Sequence, residues 1–330
     1  MGYKPFPRRG YTGGMSGLEI RAFASGDLPG VLGVLREGMA ADSISEQRFT
    51  RQVLLDANFR AAGAPVGLVS GEVVGFCLAV ARQVPLENAP SDAERGYISL
   101  MGVGAKYQRQ GIGTKLLARA EDYLRSQGRK MVMVSSYAPN YFIPGVDVRA
   151  YEPALNFFAK HGYQEVYRPL AMQTHLWSLQ TPEWVVSKEK ELGEQGVRVR
   201  EFEPALVLPM LEFVQREFPG DWVRVVRETS VRILAGESPA RLVAAVDAGG
   251  NVLAFSHFEN ERFGPIGVGA SERGRGLGQV LMYRTLDAQR QAGFRAAWFL
   301  WSDDKTAKRI YSGAGFKEVR RFALLRKQLD

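Results

Sequence analysis

The chain has 330 residues, long for one domain and comfortable for two, with the 45% hydrophobic and 24% charged content of an ordinary globular protein. No apolar run approaches the roughly 18 residues needed to cross a bilayer, and one cysteine with three scattered histidines excludes a disulfide framework and argues against a metal centre. The net charge of +8 suits a polyanionic ligand or plain solubility; with no Lys/Arg block interleaved with aromatics, neither nucleic acid nor a membrane is an expected partner.

Residues 1–17 are rich in Gly and basic residues and lack the apolar core of a secretory signal, so a flexible tail and a cytoplasmic location are expected. LEIRAF (18–23) reads as a first strand, and VGLVS (66–70) and VVGFCLAV (73–80) as two more. Cys77 lies inside that last apolar run, where burial is expected. Val103 to Leu117, VGAKYQRQGIGTKLL, joins an apolar strand to an amphipathic helix through a tight Gly-x-Gly turn. The helix face Ile112, Leu116, Leu117, Ala120, Leu124 leads to Gly128, a C′ residue, and then to the strand MVMVS (131–135). Pro139, Pro144 and Gly145 forbid a regular element over Ser136–Ala150, predicting a loop that carries Tyr137, Tyr141 and Phe142. Ala154, Phe158 and Gly162 then fall at spacings of four, along one helix and past its end.

Thr181 to Gly196 is charged and opens on Thr-Pro, a helix-start signal, and is expected to join two halves. Beyond it the pattern repeats. VRVREF (197–202), RLVAAV (241–246) and VLAFSHF (252–258) read as strands, and Val268 to Met282, VGASERGRGLGQVLM, restates the Gly-x-Gly turn 165 positions after the first. The second helix ends at Gly293, as far from Gly276 as Gly128 is from Gly111. AAWFLW (296–301) is a strand, and Ala307, Tyr311 and Gly315 repeat the spacing of Ala154, Phe158 and Gly162. That last glycine pair is 153 positions apart, so the first copy holds an insertion of 12 residues, within the 136–150 loop.

A turn of this kind at a helix start offers backbone N–H groups to phosphate. It lacks the third glycine of a dinucleotide fingerprint and the Lys-Ser/Thr of a P-loop. In both copies, Gln108-Arg109-Gln110-Gly111-Ile112-Gly113 and Arg273-Gly274-Arg275-Gly276-Leu277-Gly278 match the acyl-CoA signature Gln/Arg-x-x-Gly-x-Gly/Ala. Asp304, Ala307, Tyr311, Gly315 and Phe316 follow a second motif, with Asp304 where the family has Asn. On these residues nearly the whole chain resembles a tandem pair of Gcn5-related N-acetyltransferase (GNAT) domains. The resemblance implies an α/β fold of two tandem GNAT-like domains, 18–180 and 197–330, each a mixed, mostly antiparallel twisted sheet flanked by helices, with 181–196 as linker.

The resemblance further implies acetyl-CoA as cofactor and acetyl transfer to a primary amine of a small molecule: an amino sugar, amino acid or antibiotic-like amine. A CoA-binding scaffold with silent domains and a protein-directed acetyltransferase are the alternatives, and the chain stands as monomer or homodimer. Gln108–Thr114 and Arg273–Gln279 would hold the pyrophosphate, and a backbone N–H on the strand before each turn, near Met101–Val103 and Ile266–Val268, would polarise the thioester carbonyl. Tyr311 would protonate the departing thiolate, a role Phe158 in the first copy has no proton to fill. For the base, His257, Glu259 and Glu261 are expected at a turn between strands, with Glu94 at the comparable place in the first copy; His257 and Glu259 are the candidates. Tyr141 and Phe142 are the expected acceptor wall, while His161 and His175 read as structural.

Overall fold

The computed structural model describes residues 17–237 and 239–329; the expected N-terminal tail lies outside them apart from Gly17. By packing, the chain forms two units. The first holds the described residues up to Ala81, then Glu94–Met133, and the chain from Gln328; the second holds Arg82–Ala93 and Val134–Lys327.

The first unit runs β1 (Leu18–Ala22), α1 (Leu28–Gly38), α2 (Glu46–Phe49), β2 (Pro65–Val69), β3 (Glu72–Ala81), β4 (Arg95–Val103), α3 (Ile112–Ser126) and β5 (Met131–Val134). Strands β1 to β4 pair antiparallel in chain order, and β5 lies beside β4. The sheet is buried on both faces. Gly75 faces Leu116 and Ile112 of α3, and Gly102 faces Val34 of α1, so both glycines let a helix approach closely. Cys77 is fully buried between these layers, and burial pushes its thiol up, which keeps it inert. From the far end of the sequence, the Leu329 N–H donates to the Lys130 carbonyl at 2.7 Å.

The second unit runs β6 (Val146–Asp147), α4 (Glu152–Lys160), β7 (Gln164–Tyr167), β8 (Leu170–His175), α5 (Glu183–Glu194), β9 (Arg198–Glu201), α6 (Val207–Glu217), α7 (Asp221–Leu234), β10 (Arg241–Val246), β11 (Val252–Glu259), β12 (Arg262–Val268), α8 (Leu277–Gln291), β13 (Ala296–Ser302), α9 (Asp304–Thr306) and β14 (Lys317–Gln328). Its sheet order is β14-β8-β13-β12-β11-β10-β9, antiparallel except for β12 with β13. Strand alternation divides the core: Val243 and Ala245 of β10 pack toward α5 and α8, while Leu242, Ala244 and Val246 pack toward α6 and α7. Burial of each of the valines and the leucine among them contributes about 1.5–3 kcal/mol.

Strand β8 belongs by sequence to the first copy yet pairs with β13 of the second, Ala297 opposite Thr174 and Phe299 opposite Met172. The Thr174 hydroxyl donates to the Ala314 carbonyl at 3.0 Å. Segment 181–196 is the helix α5, and it packs within the second unit, Val185 and Leu192 entering the core.

The insertion is held by Asp147. Its carboxylate accepts the Arg149 and Ala150 N–H groups, each at 2.9 Å, and Nε of Arg320 at 2.6 Å. Burial alone would push this carboxyl up; the three donors outweigh it and hold it below its ordinary range. Asp147→Ala removes the acceptor of two N–H groups and of the Arg320 Nε, and the denaturation midpoint in urea is expected to fall by the equivalent of about 3 kcal/mol.

Candidate functional site

Each Gly-x-Gly turn is built by the same contacts. After β4, the Gly104 N–H donates to Val74 and the Ala105 N–H to the Glu37 carboxylate of α1, at 2.9 and 3.0 Å. After β12, Gly269 donates to Leu253 and Ala270 to Glu217 of α6, both at 2.9 Å. The Gln108 amide then folds back on the Val103 carbonyl at 3.1 Å, and Arg273 Nε on that of Val268 at 3.4 Å.

Two left-handed residues follow in each copy. Arg109 and Gly111 have φ of 62° and 80°; Gly274 and Gly276 both have 83°. Gly111 and Gly276 are the N-caps of α3 and α8, each 15 residues long, and neither supplies a capping side chain. Alternating left-handed residues turn successive N–H groups to one side, which is an anion cradle at the positive end of the helix dipole. Residues 112–114 and 277–279 form the first turn of each helix, so the predicted cofactor residues are brought together in both copies. Arg109 adopts this conformation without being glycine, at about 1–2 kcal/mol; the second copy relieves it with Gly274.

The two cradles differ in their surroundings. A Cβ on Gly111 would meet open space, whereas on Gly276 it would lie 3.0 Å from Lys188 Cγ of α5. Lys188 pairs with Glu191, and Arg275 pairs with Glu272 while donating to the Gln195 amide oxygen at 2.6 Å. Between α5 and the turn is a cleft of about 430 Å³, lined by Trp184, Lys188, Gln195, Gly274, Arg275 and Gln279 among others.

Beside this turn β12 and β13 share one register pair, Arg262 with Trp298, held by the Trp298 N–H on the Glu261 carbonyl at 2.9 Å. Toward Val268 and Ser302 no further pair joins them among the described residues, and two strand edges part. Tyr311 packs against residues of both strands, its ring centroid 4.5 Å from Phe299 of β13 and 6.3 Å from Phe263 of β12. Burial, with the nearby Asp303 charge adding to it, pushes its phenol up to about 12, so it holds its proton at neutral pH.

His257 and Glu259 stand elsewhere. His257 lies within β11 rather than at the turn, buried, its Nδ1 3.0 Å from the Gly264 carbonyl and Nε2 3.3 Å from the Thr229 hydroxyl. A carbonyl only accepts, so Nδ1 carries the proton and Nε2 accepts from Thr229; this engages both nitrogens in holding β11, β12 and α7 together. Glu259 pairs with Arg232 of α7 at 2.6 Å. The carboxylate whose charge reaches Tyr311 is Asp303, which lies next to the motif position Asp304 and carries no motif signal of its own. In the insertion, Phe142 and Tyr137 turn into the core, so Phe142 cannot form an acceptor wall; Tyr141 stays half-buried at the surface. Phe158 is buried against Phe157 and Tyr163. His161 bonds the Phe157 carbonyl at 2.8 Å.

Burial lowers the His257 imidazole to about 4. The folded protein keeps it neutral while the unfolded chain protonates below about pH 6.5. Its contribution is therefore whole above pH 6.5 and lost as pH falls toward 4. Thermal midpoints measured over that window are expected to drop, and to drop less in His257→Gln. Gly276→Ala forces a left-handed alanine against Lys188, and a loss of about 1–2 kcal/mol is expected in chemical denaturation.

Residues 37–163 match the family model described as the acetyltransferase (GNAT) family. No curated protein matches the chain. Among solved structures, a fungal multi-domain GH3 β-N-acetylglucosaminidase, described as having a GCN5-related glucosamine N-acetyltransferase region, superposes with TM-score 0.78 at 19% identity over 96% of this chain. This chain spans 38% of that protein's length. A GCN5-related N-acetyltransferase from Sphaerobacter thermophilus gives 0.68 at 18% identity over 94% of this chain and 95% of that one. A tandem GNAT protein from the clavulanic acid biosynthesis pathway gives 0.58 at 16%, over 94% and 98%. The family model covers residues 37–163, within the first copy, and these solved structures, each 19% identical or less, show that the same fold runs through both copies.

Proposed function

We propose that the chain transfers the acetyl group of acetyl-CoA to the primary amine of a small molecule, and that the second copy performs the transfer. The observation that carries this is the coincidence, in one unit, of the cradle at Gly274–Gly276, the parting of β12 from β13, and the buried phenol of Tyr311 across that gap. Acetyl-CoA supplies an activated acetyl thioester. The N–H groups of residues 274–279 receive its diphosphate, with Lys188 and Arg275 beside them as cations. Backbone N–H groups near Ile266–Val268, on the β12 edge that pairs with β13 only at Arg262 among the described residues, would polarise a carbonyl in the gap. Tyr311, protonated at neutral pH, holds the proton that a departing thiolate takes up.

The fungal protein's region is described as a glucosamine N-acetyltransferase, which favours a small amine as acceptor over a protein. A second reading applies to the first copy. Its cradle is intact at Arg109 and Gly111, but Phe158 has no proton to give, so in this reading the first copy binds CoA and turns it over about 100-fold more slowly than the second.

Thiol release from acetyl-CoA with a panel of amines tests the proposal. Tyr311→Phe is expected to lower kcat by about 100-fold with little change in CoA affinity by calorimetry. An unchanged kcat removes Tyr311 from the chemistry, and no release with any amine despite CoA binding removes the enzymatic reading.

A further inference from the structure

The second unit carries an aromatic surface for which neither core packing nor the proton step accounts. Trp301, at the end of β13, is 40% exposed. Tyr167 of β7, 39% exposed, lies nearly parallel to it, with ring centroids 6.3 Å apart and planes at 28°. Tyr141 of the insertion meets the same indole edge-on at 6.2 Å. Three separate segments of chain thus converge on one exposed indole. Leaving this much aromatic area in water forgoes the stabilisation that burial would bring.

The surface adjoins the reaction gap and has a polar rim. Trp301 is two residues along β13 from Phe299, whose ring packs on Tyr311. Asp303 follows two residues later, and its charge reaches both Tyr167 and Tyr311. Asp304 stands beside it, paired with Arg321 at 2.7 Å. On the other flank stands Arg262 at the start of β12, whose charge reaches the Tyr141 phenol. The arrangement is a flat apolar floor with carboxylates and a guanidinium at its edges.

We propose that Trp301, flanked by Tyr141 and Tyr167, is the floor of the acceptor site, and that the acceptor is an amino sugar in its ring form. A pyranose presents one face of C–H groups, which lies on the negative face of an indole. Its hydroxyls and ammonium point outward from the ring edge, where Asp303, Asp304 and Arg262 stand as acceptors and donor. A linear amine offers no such face and gains nothing from the platform. This inference rests on the acetyl-transfer reading of the same unit, but the binding it describes can be read without turnover.

The full chain is titrated with D-glucosamine and, separately, with ethanolamine, by ligand-observed NMR and in the thiol-release assay. Glucosamine is expected to bind in preference to ethanolamine. Trp301→Ala is expected to raise the glucosamine KM about tenfold, with the ethanolamine KM and the acetyl-CoA KM unmoved, and Trp301→Phe is expected to recover part of the loss. Binding of glucosamine that is lost in Trp301→Ala, in a chain that releases no thiol, supports the platform while overturning the acetyl-transfer reading. Equal binding of the two amines, or a glucosamine KM and affinity indifferent to Trp301→Ala, overturns the platform.

Discussion

The turns that carry β4 into α3 and β12 into α8 each pass twice through the left-handed region, a conformation that costs a residue with a side chain about 1–2 kcal/mol. The constraint selects glycine at Gly111, Gly274 and Gly276 and imposes strain at Arg109. It also leaves the helix start with no capping side chain, so backbone N–H groups face whatever occupies the turn. The remaining contacts serve that geometry. Glu37 and Glu217 hold the residues that precede the cradle, and the parted strands open beside it. What the turn offers an anion is thereby main chain in both copies, and side chains such as Lys188 and Tyr311 distinguish one copy from the other.

The copies have diverged around a shared cradle. The second has a helix walling its turn, a tyrosine over its gap and an exposed indole at the end of β13. The first has open space at Gly111 and a phenylalanine in the tyrosine's place. The backbone of the turn is thus the same in both halves while only the second has a phenol at the position of Phe158.

Much of this was legible in the sequence because it is local. Gly128, Gly162, Gly293 and Gly315 all end helices or turns with positive φ, as their spacing predicts, and the insertion falls where the shortened glycine interval puts it. Long-range pairing was not legible. β8 looks like any terminal strand, and nothing in its apolar pattern says that its partner is β13 of the other copy. His257 misled because a histidine near a hairpin reads as exposed; its burial depends on α7, which packs Thr229 against it from a distant stretch of chain. Phe142 and Tyr141 are neighbours of similar composition, and only the packed structure shows which one enters the core.

The pairing of β8 with β13 bears on how such a chain can change over generations. A duplicated gene ordinarily keeps the option of splitting again at the joint between its copies. Here a break in 181–196 would separate β13 from the strand on its flank, exposing unpaired backbone to any passing edge. It would also part Lys130 from the residue that bonds its carbonyl, Leu329. Each copy closes a surface that the other leaves open, so the two have become one inheritable piece. Changes to acceptor or cofactor preference must then accumulate within a single reading frame rather than by shuffling the halves.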